Sequence, residues 1–171
     1  MWLKKHADFG NVYLGGDSAG ANIAHNMAMR VGLASPEYPI KFSRIFLICP
    51  YFLGKRPIGN EAADPIRRNL FQSLWIHSYP NSRGLDDPLV NPAMDPKLSM
   101  LGCTRMLIFV AGKDYLRDRG WYYFESLSKS GWKGNADVVE VEGEDHVFNL
   151  NEPTSSKAIA LLKRIAAFLS A

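Results

Sequence analysis

A serine, an aspartate and a histidine occur at positions that suit nucleophilic catalysis. Ser18 lies in Gly16-Asp17-Ser18-Ala19-Gly20, which matches the pattern Gly-x-Ser-x-Gly. A serine hydroxyl is a weak nucleophile unless a base takes its proton and a third group holds that base. Asp114 and His146 follow in the order Ser, Asp, His, each just after an apolar run. We therefore predict that Ser18 is the nucleophile, Asp114 the orienting acid and His146 the base.

The setting of Ser18 favours this prediction over a glycine-rich turn with an incidental serine. An apolar run precedes it and a helical pattern follows it, so Ser18 is expected on a tight turn that exposes its Oγ. The flanking glycines are expected because such a turn leaves no room for side chains. The start of the helix directs free N–H groups at developing negative charge, which predicts the Ala19 N–H as a donor to an oxyanion.

Other residues compete for the roles of acid and base. Asp114 also suits an N-cap of the helix that follows it, and the two roles are compatible. Asp118 lies within that predicted helix between Arg117 and Arg119, where ion pairing on an exposed face is the simpler interpretation.

The three remaining histidines are interpreted as surface or packing residues. His6 precedes the first strand, and His25 lies in the helix after the nucleophile. His77 lies in an inserted segment, from which a contact with the mouth of the site stays open.

Short apolar runs alternate with helical patterns along the chain. We predict strands over 11–15, 44–49, 106–111 and 136–141, and helices over about 20–31, 117–130 and 153–170. This alternation is typical of a mainly parallel sheet with helices on both faces, so the predicted fold class is α/β. Asp114 and His146 then follow strand ends, at the carboxyl edge where open α/β sheets place their sites.

Residues 51–104 form an insertion that is longer than a strand-to-helix crossover needs. A helix is predicted over 67–79, with Leu70, Phe71, Leu74 and Trp75 on one side, and an ordered loop over 80–96. A cover for the sheet and a substrate lid are both open interpretations of this helix.

The composition is that of a globular domain. Of the 171 residues, 47% are hydrophobic and 22% are charged, which argues against a disordered or fibrous chain. The net charge of +3 has no polybasic run that would indicate nucleic acid. Cys49 and Cys103 lie far apart, as expected of core residues in a reducing compartment. No membrane span and no signal peptide are recognised, so a soluble, cytoplasmic protein without a membrane partner is predicted.

Four spaced segments carry a resemblance to a known family. They are YLGGDSAGANIAHNMA, LVNPAMDP, GKDYLRDRG and VEGEDHVF. They resemble plant carboxylesterases of the hormone-sensitive-lipase-like branch of the α/β-hydrolases. The resemblance implies a hydrolase of small-molecule esters that uses Ser18, Asp114 and His146 and needs no metal or organic cofactor.

The same branch contains relatives with other functions. Gibberellin receptors are similar but lack the catalytic histidine, whereas His146 is present here. Dehydratases and tuliposide-converting enzymes also belong to it, so elimination or transesterification on the same three residues stays open.

The family also has a His-Gly-Gly-Gly loop before the nucleophile, which is absent from this sequence. The resemblance therefore implies the C-terminal part of the fold, a single partial domain over 1–171 with Ala19 as the remaining oxyanion donor. Strand 11–15 would then have an open edge, through which the chain is expected to self-associate and to show little activity alone. A non-catalytic homologue that binds a small apolar ligand or a partner is the alternative from a different functional class.

Overall fold

The computed structural model describes residues 3–6, 8–9, 11–34 and 41–171. The strands are β1 (Val12–Asp17), β2 (Phe42–Ile48), β3 (Cys103–Ala111) and β4 (Asn135–Val141). The helices are α1 (Leu3–His6), α2 (Ala19–Leu33), α3 (Pro65–Ser78), α4 (Arg117–Lys129), α5 (Phe148–Asn151) and α6 (Ser156–Ser170). Short 3-10 helices occupy Gly59–Ala62, Pro92–Met94 and Leu98–Met100. The prediction that no signal peptide is present involves residues 1, 2 and 7, which lie outside the described residues.

The four strands form one parallel sheet in the order β1-β2-β3-β4. This confirms the predicted α/β class. The observed strands differ from the predicted ones mainly at their starts, because β2 and β3 begin with residues that include the polar Ser43 and Thr104. The Thr104 hydroxyl donates to the Ser43 carbonyl, so these residues join the sheet without forming an apolar run.

Helices cover both faces of the sheet. One face packs α2 and α4 against alternate strand residues that include Ile45, Met106 and Ile108. The other face packs α6 against the intervening residues, which include Leu107 and Phe109. Because both faces of β3 are buried, its sequence is a nearly continuous apolar run.

Helix starts also differ from the predictions for local reasons. The α3 helix begins at Pro65 because the Asp64 carboxylate accepts the Arg67 N–H as an N-cap and proline suits the first helical position. The α6 helix begins at Ser156 because the Ser155 hydroxyl accepts the Ala158 N–H.

The insertion helix α3 is less buried than its pattern indicates. None of its residues is buried, and Leu70 and Leu74 are 58% and 50% exposed. Only Phe71 and Trp75 pack against a buried cluster that includes Tyr51 and Leu53. Of the four apolar residues predicted on one side of this helix, Phe71 and Trp75 therefore pack against the domain and the two leucines are largely exposed.

The loop that connects β2 to α3 is attached to the body of the domain by a buried ion pair. Glu61 accepts two hydrogen bonds from Arg119 of α4, at 2.8 and 2.6 Å, and both side chains are 3% exposed. Arg119 also donates to the Arg56 carbonyl at 2.6 Å. These contacts hold in place the loop that precedes α3.

Strand β1 lies at one edge of the sheet, where it pairs with β2 alone among the described residues. Near it, Tyr13, Ile23 and Met27 are 37%, 62% and 40% exposed.

Both cysteines are free and buried, which agrees with their interpretation as core residues. Within the described residues, no helix has the length and apolar character needed to cross a bilayer.

Candidate active site

Ser18 occupies the turn between β1 and α2. Its backbone angles, φ 50° and ψ −117°, are uncommon for a residue with a side chain, as expected at a strained turn. The Ser18 N–H donates to the Ile48 carbonyl at 2.9 Å, and the Ser18 carbonyl accepts the Tyr51 N–H at 3.0 Å. These bonds tie the turn to the end of β2. The Ser18 side chain makes no capping bond, so its hydroxyl is available to another partner.

The two glycines around Ser18 have different roles. A Cβ atom on Gly16 would lie 2.3 Å from the backbone of Gly20, so Gly16 permits the close approach that was predicted. A Cβ atom on Gly20 would meet nothing within 4 Å among the described residues. The expectation that Gly20 is needed for lack of space is therefore wrong within this part of the chain.

Asp114 follows β3 and is 1% exposed. One carboxylate oxygen accepts the Leu116 N–H at 2.9 Å, and the Asp114 N–H donates to the Ala111 carbonyl at 3.0 Å. The N-cap position of α4 is occupied by Leu116, so the predicted capping role of Asp114 is wrong. Its carboxylate instead closes the turn before the helix and leaves the second oxygen free for His146.

His146 lies in the loop after β4 and contacts both other candidate residues. Its Nδ1 is 2.8 Å from Asp114 Oδ2, and its Nε2 is 2.9 Å from Ser18 Oγ. In the tautomer with the proton on Nδ1, the ring donates to Asp114 and accepts the Ser18 hydroxyl proton. The structure thus brings the three residues together in one hydrogen-bonded chain.

Backbone contacts hold the His146 loop in place. The Lys113 N–H donates to the Glu144 carbonyl at 2.8 Å, which joins this loop to the turn that carries Asp114. Val147 has φ 47° and ψ 36°, a left-handed conformation that a β-branched residue adopts only when its surroundings require it. The loop is therefore constrained on both sides of the histidine.

Cys49 lies on the buried side of the site, although the sequence indicates only a core residue at this position. It is 1% exposed, and its sulfur lies with Asp114 and His146 in a group whose ligand-type atoms are within 4.8 Å of one another. Burial, followed by the charge of Asp114, raises the pKa of the Cys49 thiol to about 12. At this pKa the thiol stays protonated at neutral pH and is not itself a nucleophile. The one clue in the sequence is its place at the end of β2, before Pro50.

The competing residues have other roles in the structure. Asp118 is half-buried; it pairs with Arg117 at 2.8 Å and accepts the Asn60 N–H, so ion pairing is confirmed but the face is not fully exposed. His25 is buried and its Nδ1 lies 2.9 Å from the Tyr123 hydroxyl, as expected of a packing histidine. Burial lowers the pKa of His25 to about 3. His77 and His6 are exposed.

Two cavities lie beside the hydrogen-bonded side chains of Ser18, His146 and Asp114. The Ser18 cavity has a volume of about 410 Å³ and is lined by Ser18, Ala19, Asn22, Ile23, Tyr51, Phe71, Leu74, Trp75 and Ser78. The His146 cavity has a volume of about 290 Å³ and is lined by Arg67, Leu70, Phe71, Asp114, Tyr115, Asp145, His146 and Asn151. A reacting group at Ser18 would therefore have space on both sides.

Residues 1–150 match a protein family described by the alpha/beta hydrolase fold. The chain belongs to the α/β-hydrolase family. This match covers Ser18, Asp114 and His146 as well as the whole parallel sheet.

Several curated plant proteins are similar to this α/β-hydrolase. Probable carboxylesterase 13 of Arabidopsis thaliana is 46% identical over 98% of this chain and 54% of its own length. The 2-hydroxyisoflavanone dehydratase of Glycyrrhiza echinata is 42% identical over 98% of this chain and 52% of its own length. Tuliposide A-converting enzyme 1, chloroplastic, of Tulipa gesneriana is 42% identical over 98% of this chain and 43% of its own length. The chain spans about half the length of these relatives.

Solved structures support the same fold. Carboxyl esterase 2 of the fungus Tuber melanosporum superposes with a TM-score of 0.78 at 20% identity, over 98% of this chain and 58% of that one. The hyperthermophilic esterase of Pyrobaculum calidifontis superposes with a TM-score of 0.73 at 25% identity, over 98% of this chain and 56% of that one. The α/β-hydrolase fold is thus shared well beyond plants.

Proposed function

We propose that this α/β-hydrolase is a carboxylic-ester hydrolase in which Ser18, His146 and Asp114 act as one catalytic unit. The observation that carries the proposal is the unbroken chain of hydrogen bonds from Ser18 Oγ through the His146 ring to the buried Asp114 carboxylate. Similarity to a plant protein named a probable carboxylesterase supports the same reaction class.

The proposed reaction has two halves. In the first, His146 Nε2 takes the Ser18 proton as Oγ attacks the ester carbonyl carbon, and the protonated ring then gives that proton to the departing alcohol oxygen. In the second half, His146 removes a proton from water, whose oxygen attacks the acyl-serine, and the acid leaves as Ser18 regains its proton. Asp114 holds the ring and stabilises its positive charge in both halves.

The Ala19 N–H is the proposed oxyanion donor of this chain. It is the first backbone N–H of α2, which follows Ser18 directly. Loss of one oxyanion donor from a serine hydrolase typically slows turnover by about 10²–10³-fold. We therefore expect slow turnover from this chain alone, where the Ala19 N–H is the one donor proposed.

The proposal is tested by hydrolysis of p-nitrophenyl butyrate with wild type and Ser18→Ala at equal concentration. We expect turnover by the wild type and none above background in Ser18→Ala. Ser126→Ala is the control, because the Ser126 hydroxyl donates to the Tyr122 carbonyl within α4 and lines neither cavity, so the rate should be unchanged. Equal rates in wild type and Ser18→Ala would contradict the proposal.

A second candidate reaction is elimination or transesterification on the same residues. It is favoured by similarity to proteins named 2-hydroxyisoflavanone dehydratase and tuliposide A-converting enzyme. Product analysis separates these reactions, since hydrolysis incorporates oxygen from ¹⁸O-labelled water into the acid and the other two do not.

The alternative from a different class is a homologue that binds a small apolar ligand or a partner without turnover. The Ser18 cavity supports ligand binding of this kind because most of its lining side chains are apolar. Saturable ligand binding without any Ser18-dependent turnover would favour this alternative.

Self-association through the edge of β1 is a further part of the proposal. The exposed Tyr13 and Met27 lie near this edge, which pairs with no other strand among the described residues, and such an edge recruits other chains. Size-exclusion chromatography should show a species larger than a monomer, and Tyr13→Lys with Met27→Lys should reduce it. A monodisperse wild-type monomer would contradict this part.

The proposed compartment remains the cytoplasm, although the tuliposide-converting relative is named as chloroplastic.

A further inference from the structure

The Ser18 cavity and the His146 cavity differ in the chemistry of their walls. The Ser18 cavity has the apolar side chains of Ile23, Leu74 and Trp75. The His146 cavity is lined by more polar side chains, which include Arg67, Asp145 and Asn151, together with the apolar Leu70 and Phe71. The two cavities are therefore suited to different parts of a substrate.

One side chain, Phe71 of α3, lines both cavities. Its ring stacks on Tyr115 with centroids 5.1 Å apart and meets the edge of the His146 ring at 6.2 Å. The Tyr51 hydroxyl donates to the Phe71 carbonyl, which fixes this turn of the helix. Phe71 is thus held between the two cavities, although no residue of α3 is buried.

The positions of the proton donor and the oxyanion donor in the proposed reaction indicate which cavity holds the acyl chain and which holds the alcohol. The departing alcohol oxygen must lie at His146 Nε2 to receive its proton, while the oxyanion lies at the Ala19 N–H. Ala19 and Ser18 line the first cavity and His146 lines the second. The acyl chain then extends into the apolar Ser18 cavity, and the alcohol extends into the polar His146 cavity.

We propose that Phe71 determines specificity by separating an apolar acyl subsite from a polar alcohol subsite, so that the preferred substrates are esters of an apolar acid with a hydroxyl-bearing alcohol. This inference rests on the proposed ester hydrolysis. A hydroxyl group both donates and accepts hydrogen bonds, which matches Asp145 as acceptor and Arg67 and Asn151 as donors. A plain alkyl alcohol would remove water from these groups without replacing their hydrogen bonds.

The acyl side is tested with p-nitrophenyl esters of increasing acyl length. Phe71→Ala removes the partition, so the ratio of kcat/KM for octanoate to that for butyrate should rise about tenfold. Phe71→Leu should give a smaller rise. Ile76→Ala is the matched control on α3, because Ile76 is 54% exposed and lines neither cavity. An unchanged ratio in Phe71→Ala would overturn the proposal.

The alcohol side is tested at a fixed butyryl group by comparing glycerol monobutyrate with propyl butyrate. We expect the wild type to prefer the glycerol ester and Arg67→Ala to lower that preference about fivefold to tenfold through a higher KM. Arg68→Ala is the control, because Arg68 donates to the Lys55 carbonyl and does not line the cavity. No preference in the wild type, or equal loss in both variants, would overturn the assignment.

A binding measurement tests the acyl subsite without turnover. In Ser18→Ala, octanoate should cause a saturable change in tryptophan fluorescence that Trp75→Phe removes, because Trp75 lines the Ser18 cavity. No saturable change, or one that persists in Trp75→Phe, would overturn the acyl assignment. Hydrolysis that survives Ser18→Ala would contradict the proposed function itself, whereas Ser18-dependent hydrolysis with unchanged preferences contradicts only this inference.

Discussion

The carboxyl edge of the sheet and the insertion helix α3 are built in different ways. At the sheet edge, Asp114 is 1% exposed and Ser18 is tied by backbone hydrogen bonds to its neighbours. Helix α3 has no buried residue and exposes several apolar side chains, among them Ile66 at 82%. The side chains proposed to react are thus held by the core of the fold, whereas those proposed to determine substrate preference lie on an outer helix without buried residues.

The largest expected effect concerns the sheet edge. Asp114→Asn and His146→Ala should each lower hydrolysis of p-nitrophenyl butyrate by about 10³–10⁴-fold or to background, because the base loses its support or is removed. The double variant should be no worse than His146→Ala, since the residues act as a unit. His77→Ala should retain its rate for this ester. Near-normal turnover in His146→Ala would show that another group is the base.

The second prediction concerns the anchor between the α3 loop and the core. Glu61→Gln leaves the buried Arg119 without its counter-charge, which typically costs about 3–5 kcal/mol of unfolding free energy. Glu125→Gln breaks an exposed pair with Lys129 and should cost less than about 0.5 kcal/mol. Urea unfolding of both variants measures the difference. Equal midpoints would contradict the anchoring role of Glu61.

The third prediction concerns the pH dependence of stability through His25. Its pKa is about 3 in the folded protein and about 6.5, the ordinary histidine value, when unfolded, so only the unfolded state takes up this proton between those two pH values. The unfolding free energy contributed by this residue is therefore intact above pH 6.5 and falls by about 1.4 kcal/mol per pH unit as the pH drops towards 3.

Urea titrations at several pH values measure this slope. His25→Leu should reduce it by about one proton relative to wild type, whereas His77→Gln should leave it unchanged because His77 is exposed. Identical slopes in wild type and His25→Leu would mean that His25 takes up its proton equally in both states.

The sequence was sufficient to predict the features that depend on strand ends. The runs before Ser18, Asp114 and His146 form strands, of which β3 is buried and β1 and β4 are partly exposed, and parallel strands end at one edge of the sheet. The approach of these residues to within hydrogen-bonding distance follows from that topology.

Features that depend on long-range packing could not be predicted in this way. The pairing of Glu61 with Arg119 joins residues 58 positions apart, and no local pattern indicates it. The exposure of Leu70 and Leu74 depends on how α3 lies against the domain, although its helical period is clear. Cys49 contributes to the site only because β2 lies beside β3 in the sheet.

The central claim is that Ser18 is a nucleophile activated by His146, and covalent labelling tests it most directly. The protein is treated with a fluorophosphonate probe, and the modified residue is identified by mass spectrometry in wild type, Ser18→Ala, His146→Ala and the control Ser126→Ala. We predict one adduct on Ser18 in wild type and Ser126→Ala, none in Ser18→Ala and much slower labelling in His146→Ala. Labelling that persists in Ser18→Ala, or that is equally fast without His146, would contradict the account.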